Sequence, residues 1–368
     1  MVRIAVIPGD GIGPEVTAEA IKVLHTVAAC AGKDVDTVHF DYGAERYLRD
    51  GVSLPSDALH QFRTEFDAIL LGALGDPRVA DMKHAIDILF GIRFGLDLYA
   101  NIRPVRLLDR RLSPLKTAAA SEINFTVFRE NTEDLYVGIG GIFKKGTPDE
   151  VAIQESITTR KGVERILEAA FSFAVRHKAA KVTMSDKSNA LRFGGDLWQR
   201  VFQEVSRRYP AVEAEHMYID AMAMMLVKNP SSFQVIVTSN MFGDIITDLG
   251  AELQGGLGMA ASANINPEQT CMFEPVHGSA PKLAGKNVAN PVGAILSVQM
   301  MLEHMGWDAE AEIIEKAVGA CVREYECTGD IGGEMGTREA GDAVRRRIES
   351  LAQGGAGSTL PLKERAPS

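Results

Sequence analysis

Asp244 and Asp248 stand four residues apart within residues 233–249, FQVIVTSNMFGDIITDL. At that spacing two side chains share one helix face, and like charges there cost roughly a few tenths of a kcal/mol unless a cation lies between them. Two readings are open. Acidic residues in a first turn answer the helix dipole and face water, an effect that fades beyond that turn. Alternatively, the pair holds a divalent cation at the carboxyl end of a buried strand, where open α/β sheets bind ligands. Arg93, Arg103 and Arg129 form a second group, each near the end of an element and among apolar neighbours. One such arginine is usually salt-bridged structure. Three in an acidic chain point to a multi-carboxylate anion, because guanidinium forks match carboxylates bidentately. Lys187, beside Asp186, Ser188 and Asn189, and the polar points Glu274, His277 and Asn290 among turn residues complete the set.

The elements that must position these groups are legible from pattern. Val235, Ile236 and Val237 form a β-branched run suited to a strand buried on both faces, and a helix is expected to open at Gly243. Residues 2–7 and 67–71 read as further buried strands, residues 124–130 as the strand that delivers Arg129 and Glu130, and AKVTMSD as a strand just before Lys187. Asp220 is expected at the end of another apolar strand-like run in HMYIDAMAMML, whose methionines suit core or helix packing. Residues 15–29 and 161–177 have helical periodicity, as does the chain beyond Pro291. Glycine loops, PGDGIGPEV and GALGDP, follow the first two strands. The first fails as a dinucleotide fingerprint, because Pro14 stands where G-x-G-x-x-G needs its third glycine. A tight structural turn and a ligand-approach loop both explain it.

A chain of 368 residues suffices for two domains or one large α/β unit. Its 39 basic against 49 acidic residues give a net charge of −10, a field that repels nucleic acid and anionic membranes. An anionic substrate therefore needs a local basic cluster. Cys30, Cys271, Cys321 and Cys327 lack paired-ligand spacing and fit a reducing compartment. Met1 leads straight into VRIAVIP, with no charged-then-apolar leader and no bilayer-length run, so a cytoplasmic location is expected. Residues 353–368, rich in Gly, Ser and Pro, read as a disordered tail.

In order along the chain, PGDGIGPEV, DLYANIRP, FRENTEDLY, the DKSN segment, YIDAMAM, SNMFGDIITDL, FEPVHGSAP and the Gly336-Thr337 pair resemble the isocitrate/isopropylmalate dehydrogenase family of metal-dependent β-decarboxylating dehydrogenases. The resemblance covers nearly the whole chain except the tail. It implies an α/β fold of two domains around one mixed sheet, not a Rossmann fold. The cofactor-binding domain would join residues 1–99 to 254–352, and residues 100–253 would form a central domain with the dimer contact and the metal ligands. The resemblance further implies a homodimer with shared active sites, a small-molecule substrate, Mg²⁺ or Mn²⁺, and NAD or NADP. Position by position, Asp244 and Asp248 match metal ligands from one subunit and Asp220 a ligand from the other. Hard carboxylate oxygens suit those ions. Arg93, Arg103 and Arg129 match the clamp on the substrate's malate moiety, Lys187 the base that removes the hydroxyl proton, and Tyr136 the acid that protonates the enol carbon. Gly72, Glu274, His277, Gly278, Ala280, Lys282 and Asn290 match cofactor contacts.

Substrate and cofactor are where the chain departs from its relatives. Isocitrate enzymes place a serine and an asparagine where this chain has Asp87 and Leu89, which disfavours isocitrate. Leu89 and Phe90 would instead face an isopropyl group, a contact worth roughly 2 kcal/mol for two or three buried methyl groups. Isopropylmalate enzymes carry a glutamate where Ile86 stands, and the runs FRENTEDLYVG and VAIQESITTRKGVERI look closer to the isocitrate and the tartrate/D-malate branches respectively. The favoured substrate is 3-isopropylmalate, with D-malate or tartrate second and isocitrate or homoisocitrate behind. Lys282 stands where NAD-using relatives place an acid and NADP-using isocitrate enzymes a lysine, while Leu283 replaces the latter's tyrosine. NAD and NADP both stay open. Non-catalytic regulatory subunits of the family lose catalytic or metal positions; here Tyr136, Lys187, Asp220, Asp244 and Asp248 are all present, which argues for an active enzyme.

Overall fold

The computed structural model describes residues 1–116 and 123–353. The expected tail lies outside the described residues apart from Gln353, which ends the last helix. The chain opens with β1 (Val2–Gly9), α1 (Gly13–Cys30), β2 (Val35–His39), α2 (Ala44–Asp50), α3 (Ala58–Glu65), β3 (Ala68–Ala73) and α4 (Lys83–Gly95). Next come β4 (Ala100–Arg106), β5 (Asn124–Glu130), β6 (Gly140–Phe143), β7 (Val151–Gln154), α5 (Arg160–Arg176), β8 (Lys181–Asp186) and α6 (Arg192–Ser206). β9 (Glu213–Tyr218), α7 (Ile219–Lys228), β10 (Val235–Thr238) and α8 (Asn240–Gln254) follow. The chain closes with β11 (Ala261–Ile265), β12 (Cys271–Pro275), α9 (Val292–His304), α10 (Asp308–Arg323) and α11 (Thr337–Gln353).

Ten strands form one mixed sheet in the order β2-β1-β3-β12-β11-β4-β5-β10-β8-β9, while β6 and β7 pair separately as an exposed hairpin. The order is not that of a Rossmann sheet. The outer strands run parallel; β12, β11, β4 and β5 pair antiparallel in the middle. Strands β3, β10, β11 and β12 are buried at every position, which is why their sequences lack polar alternation. At the centre, β11 meets β4 through three registered pairs, Ala263↔Ile102, Asn264↔Asn101 and Ile265↔Ala100. Among the described residues no helix is long and apolar enough to cross a membrane, and all four cysteines are free thiols.

Two expectations need correction. The helix after β10 opens at Asn240, with Ser239 as N-cap, and not at Gly243. Asp244 and Asp248 thus lie in its second and third turns, beyond the reach of the dipole reading. Asp220 ends no strand: β9 stops at Tyr218 and Asp220 sits in the first turn of α7. A short apolar run does not distinguish strand from helix by periodicity, and the alanines, methionines and leucine of this one are strong helix formers.

Candidate active site

Residue alternation along β4 and β5 aims the arginines. Arg103 and Arg129 each follow an apolar residue, Ile102 and Phe128, so guanidinium and apolar groups leave opposite faces of the sheet. Both arginines then meet α8. Arg129 Nε donates to Asn240 Oδ1 at 2.8 Å, and its Nη1 pairs with Asp244 Oδ1. Arg103 Nη1 donates to Thr247 Oγ1 at 2.7 Å and lies 3.5 Å from Asp244 Oδ1. Gly243 makes this approach possible, since a Cβ there would lie 2.6 Å from Arg129 Cγ. The Tyr136 hydroxyl donates to Asp244 Oδ2 at 2.7 Å, beneath the Arg129 guanidinium, which sits 5.1 Å from the ring centre. From α4, Arg93 Nη2 donates at 2.7 Å to Glu274 Oε1, which also accepts from Asn264 Nδ2 at 2.8 Å. Arg93, Arg103, Arg129, Tyr136, Asp244 and Glu274 line a hollow of about 290 Å³, with Ile86, Leu89, Phe90, His277 and Gly278 also in its wall.

The electrostatics follow from burial and crowding. Burial lowers the hold of Arg103 and Arg129 on their protons, Arg103 adds to the effect on Arg129, and Asp244 opposes it. Burial works to raise the Asp244 carboxyl, but Arg129 and Arg103 hold it below the ordinary range. The Asp248 carboxyl is raised, first by desolvation and then by the like charge of Asp244. Burial and the hydrogen bond to Asp244 both raise the Tyr136 hydroxyl, so it keeps its proton at neutral pH. The Nε atoms of Arg93 and Arg103 and the Nε2 of His277 are buried without a partner among the described residues. Unpaired buried donors are costly. A multi-oxygen anion would answer the two arginine donors, and a cation would relieve the Asp244–Asp248 repulsion.

The remaining expected residues divide. Lys187 and Asp220 pair with each other at 2.9 Å and do not line the hollow. Within one chain, Lys187 therefore meets an anion and not the arginine cluster. Among the described residues no group of three or more His, Cys, Asp or Glu in one chain could hold a metal ion. Gly72 lines the hollow, but its lack of a side chain answers packing: a Cβ would lie 2.3 Å from Pro8 O and 2.6 Å from Thr17 Oγ1. Asn290 is engaged internally, accepting from Val292 N at 3.0 Å and donating to Asp330 Oδ2 at 3.0 Å. Ala280 adopts a left-handed φ of 37°, while Lys282 is exposed. Asp87 is held by Ser53 at 2.8 Å and Lys83 at 2.7 Å and does not line the hollow.

The structure adds residues that the sequence does not single out. Asn240 and Thr247 orient Arg129 and Arg103 from α8, and both lie in the segment that carries the acidic pair. Their type gives no signal apart from that location. Asp10 ties the glycine loops together, accepting from Ala44 N at 2.7 Å and Gly75 N at 2.8 Å and pairing with His84 Nε2 at 2.9 Å. Gly11, at φ 58°, docks the first loop on the HGSAP segment, where a Cβ would lie 2.0 Å from Ser279 O. Two larger hollows, of about 1180 and 460 Å³, share Ile102 as lining and so lie on the other sheet face, away from this chemistry.

Comparison with known proteins shows what the chain is similar to as a whole. The sequence model of the family described as isocitrate/isopropylmalate dehydrogenase matches residues 3–344. The 3-isopropylmalate dehydrogenase of Thermobifida fusca is 47% identical over 349 residues, covering 94% of this chain and 98% of the relative. That of Frankia casuarinae is 44% identical over 347 residues, covering 94% and 99%. The crystal structure of isocitrate dehydrogenase from Methylococcus capsulatus superposes with a TM-score of 0.85 at 35% identity, covering 95% of this chain and 99% of that one. Match length and identity across both chains lead to one conclusion: this chain belongs to the isocitrate/isopropylmalate dehydrogenase family.

Proposed function

We propose that the chain oxidises and decarboxylates 3-isopropylmalate with NAD or NADP as hydride acceptor. The observation that carries this reading is the meeting of Arg93, Arg103 and Arg129 with Asp244 and Tyr136 around one hollow, walled on one side by Ile86, Leu89 and Phe90. The arginines bind the carboxylates of a malate moiety and orient its C2, bidentate pairing supplying the geometry. The apolar wall takes the isopropyl branch, at roughly 2 kcal/mol. The engagement of Asp87 with Ser53 and Lys83 leaves no polar group from that position for a third carboxylate.

Asp244 and Asp248, joined by Asp220 from a second subunit, would hold Mg²⁺ or Mn²⁺; their hard oxygens and mutual repulsion fit such an ion. When bound, the cation supplies Lewis acidity at the C2 oxygen and the nicotinamide takes the hydride. Lys187 Nζ, delivered by the same second subunit, removes the C2 hydroxyl proton. Tyr136 Oη, whose proton is held tightly, returns a proton to carbon after CO₂ leaves. A homodimer is supported by apolar side chains left open on and near this face, with Met224 67%, Val227 49% and Ile245 61% exposed, and by the bare β6–β7 hairpin. On this reading residues 1–99 with 254–352 form one domain and residues 100–253 the other, hinged where β11 pairs with β4. Cofactor contacts fall to the HGSAP loop and Lys282, and the exposed lysine leaves room for a 2′-phosphate.

The test is a turnover panel of 3-isopropylmalate, D-malate, tartrate, isocitrate and homoisocitrate, each with NAD and NADP and with Mg²⁺ or Mn²⁺. The highest kcat/KM is expected with 3-isopropylmalate. A higher value with D-malate or tartrate would overturn the substrate reading while leaving the reaction class intact.

A further inference from the structure

Asp134 combines a strained backbone with a fully engaged side chain. Its φ of 68° and ψ of −150° fall in a region that glycine alone occupies readily. The chain holds it there through the carboxylate: Oδ1 accepts from Ser156 Oγ at 2.6 Å, and Oδ2 accepts from Ser239 Oγ at 2.9 Å and Met241 N at 3.1 Å. Its own N–H donates to Ile157 O at 2.8 Å, and Asn240 Nδ2 donates to the neighbouring Glu133 O at 3.1 Å. The carboxylate thus ties the turn after β5 both to the first residues of α8 and to the segment after β7. Two residues further on, Tyr136 reaches Asp244, three residues along that same helix from Met241. The turn itself is secured from behind by Glu130, which accepts from Thr132 N and Glu133 N.

We propose that Asp134 is a positioning residue for Tyr136: its carboxylate grips the start of α8 and forces a bend that aims the Tyr136 hydroxyl at Asp244. A capping role alone needs no left-handed backbone. The strain makes sense only if the bend directs the next residues of the chain, Tyr136 among them. The inference rests on the reading of Tyr136 as proton donor.

Asp134→Gly removes the grip and relieves the strain; Asp134→Ala removes the grip and keeps the strain; Asp134→Asn keeps the strain and retains one acceptor. In the full-length enzyme with 3-isopropylmalate, both Gly and Ala variants are expected to lower kcat about tenfold or more with KM changed less than about threefold. The first-turnover burst of reduced nicotinamide should survive, because hydride transfer precedes protonation of carbon. Asp134→Asn should recover part of the loss. Combined with Tyr136→Phe, Asp134→Ala should slow the enzyme by less than about twofold beyond Tyr136→Phe alone, since the two act as a unit. Losses that multiply in full, or wild-type kcat in Asp134→Gly, would overturn the proposal. Near-wild-type turnover in Tyr136→Phe by itself sinks the tyrosine reading instead. A crystal structure of Asp134→Ala then decides: a displaced tyrosine hydroxyl upholds the positioning role, and an intact bond to Asp244 refutes it. Should the alanine variant not fold, Asp134→Gly carries the same comparisons.

Discussion

Replacing Gly243 by alanine sets two effects of known size against each other. On an open helix face, alanine stabilises by about 1 kcal/mol relative to glycine. At Gly243 the new methyl would lie 2.6 Å from Arg129 Cγ, 2.7 Å from its Cβ and 3.1 Å from its Cδ. Arg129 is 1% exposed and its head is committed to Asn240 and Asp244, so the side chain has nowhere to retreat. Overpacking of this kind costs about 1–3 kcal/mol. The methyl gain is cancelled or reversed, and a net loss of about 0–2 kcal/mol is expected in urea unfolding at fixed protein concentration. Activity should respond more strongly. A shift of Arg129 that breaks one charge-assisted contact to the substrate costs about 1.5–3 kcal/mol. At about 1.4 kcal/mol per decade, that is a fall of about 10- to 150-fold in kcat/KM, mainly through KM. A variant about 1 kcal/mol more stable than the parent, with kcat/KM unchanged, would refute both the packing argument and the role of Arg129.

Lys187→Met and Tyr136→Phe should each retain ternary binding, read by calorimetry, while kcat falls by about 10²- to 10⁴-fold; near-wild-type turnover in either removes its assigned role. Lys282→Asp should move the kcat/KM ratio toward NAD, and an unchanged ratio would mean that the lysine points away from the ribose. Burial pushes the Glu130 carboxyl up from 4.5 to about 7. A raised carboxyl favours folding most below its unfolded value, and that contribution is lost as pH rises through the folded one, a window of about pH 4.5 to 7. The stability of the parent relative to Glu130→Gln should therefore decline on going from pH 5 to pH 8, by on the order of 3 kcal/mol at most; a difference independent of pH would contradict it.

Much of the site is legible in residue type and spacing. The strand–turn–helix around Asp244 and Asp248, the strand that carries Arg129 and the terminal position of Arg93 are local patterns, set by periodicities of 2 and 3.6 residues. Where local pattern is ambiguous, it misleads. The run up to Asp220 reads as a strand that ends there, whereas β9 stops at Tyr218 and Asp220 lies in the first turn of α7, and the same kind of ambiguity places the start of α8 three residues late.

What the sequence by itself determined is the chemical inventory: three arginines, the carboxylates, a lysine and a tyrosine, and their order along the chain. What only the tertiary structure decided is who meets whom. Arg93 meets Glu274, 181 positions away, through the packing of α4 against β12, and Tyr136 meets Asp244 across 108 positions through the strained turn at Asp134. Lys187 and Asp220 instead meet each other, outside the arginine cluster. Such pairings depend on sheet order and on helix placement over the sheet, which spacing along a chain does not encode. Spacing alone makes Asp244 and Asp248 two acids on a helix; the tertiary structure sets two arginines and a tyrosine around Asp244.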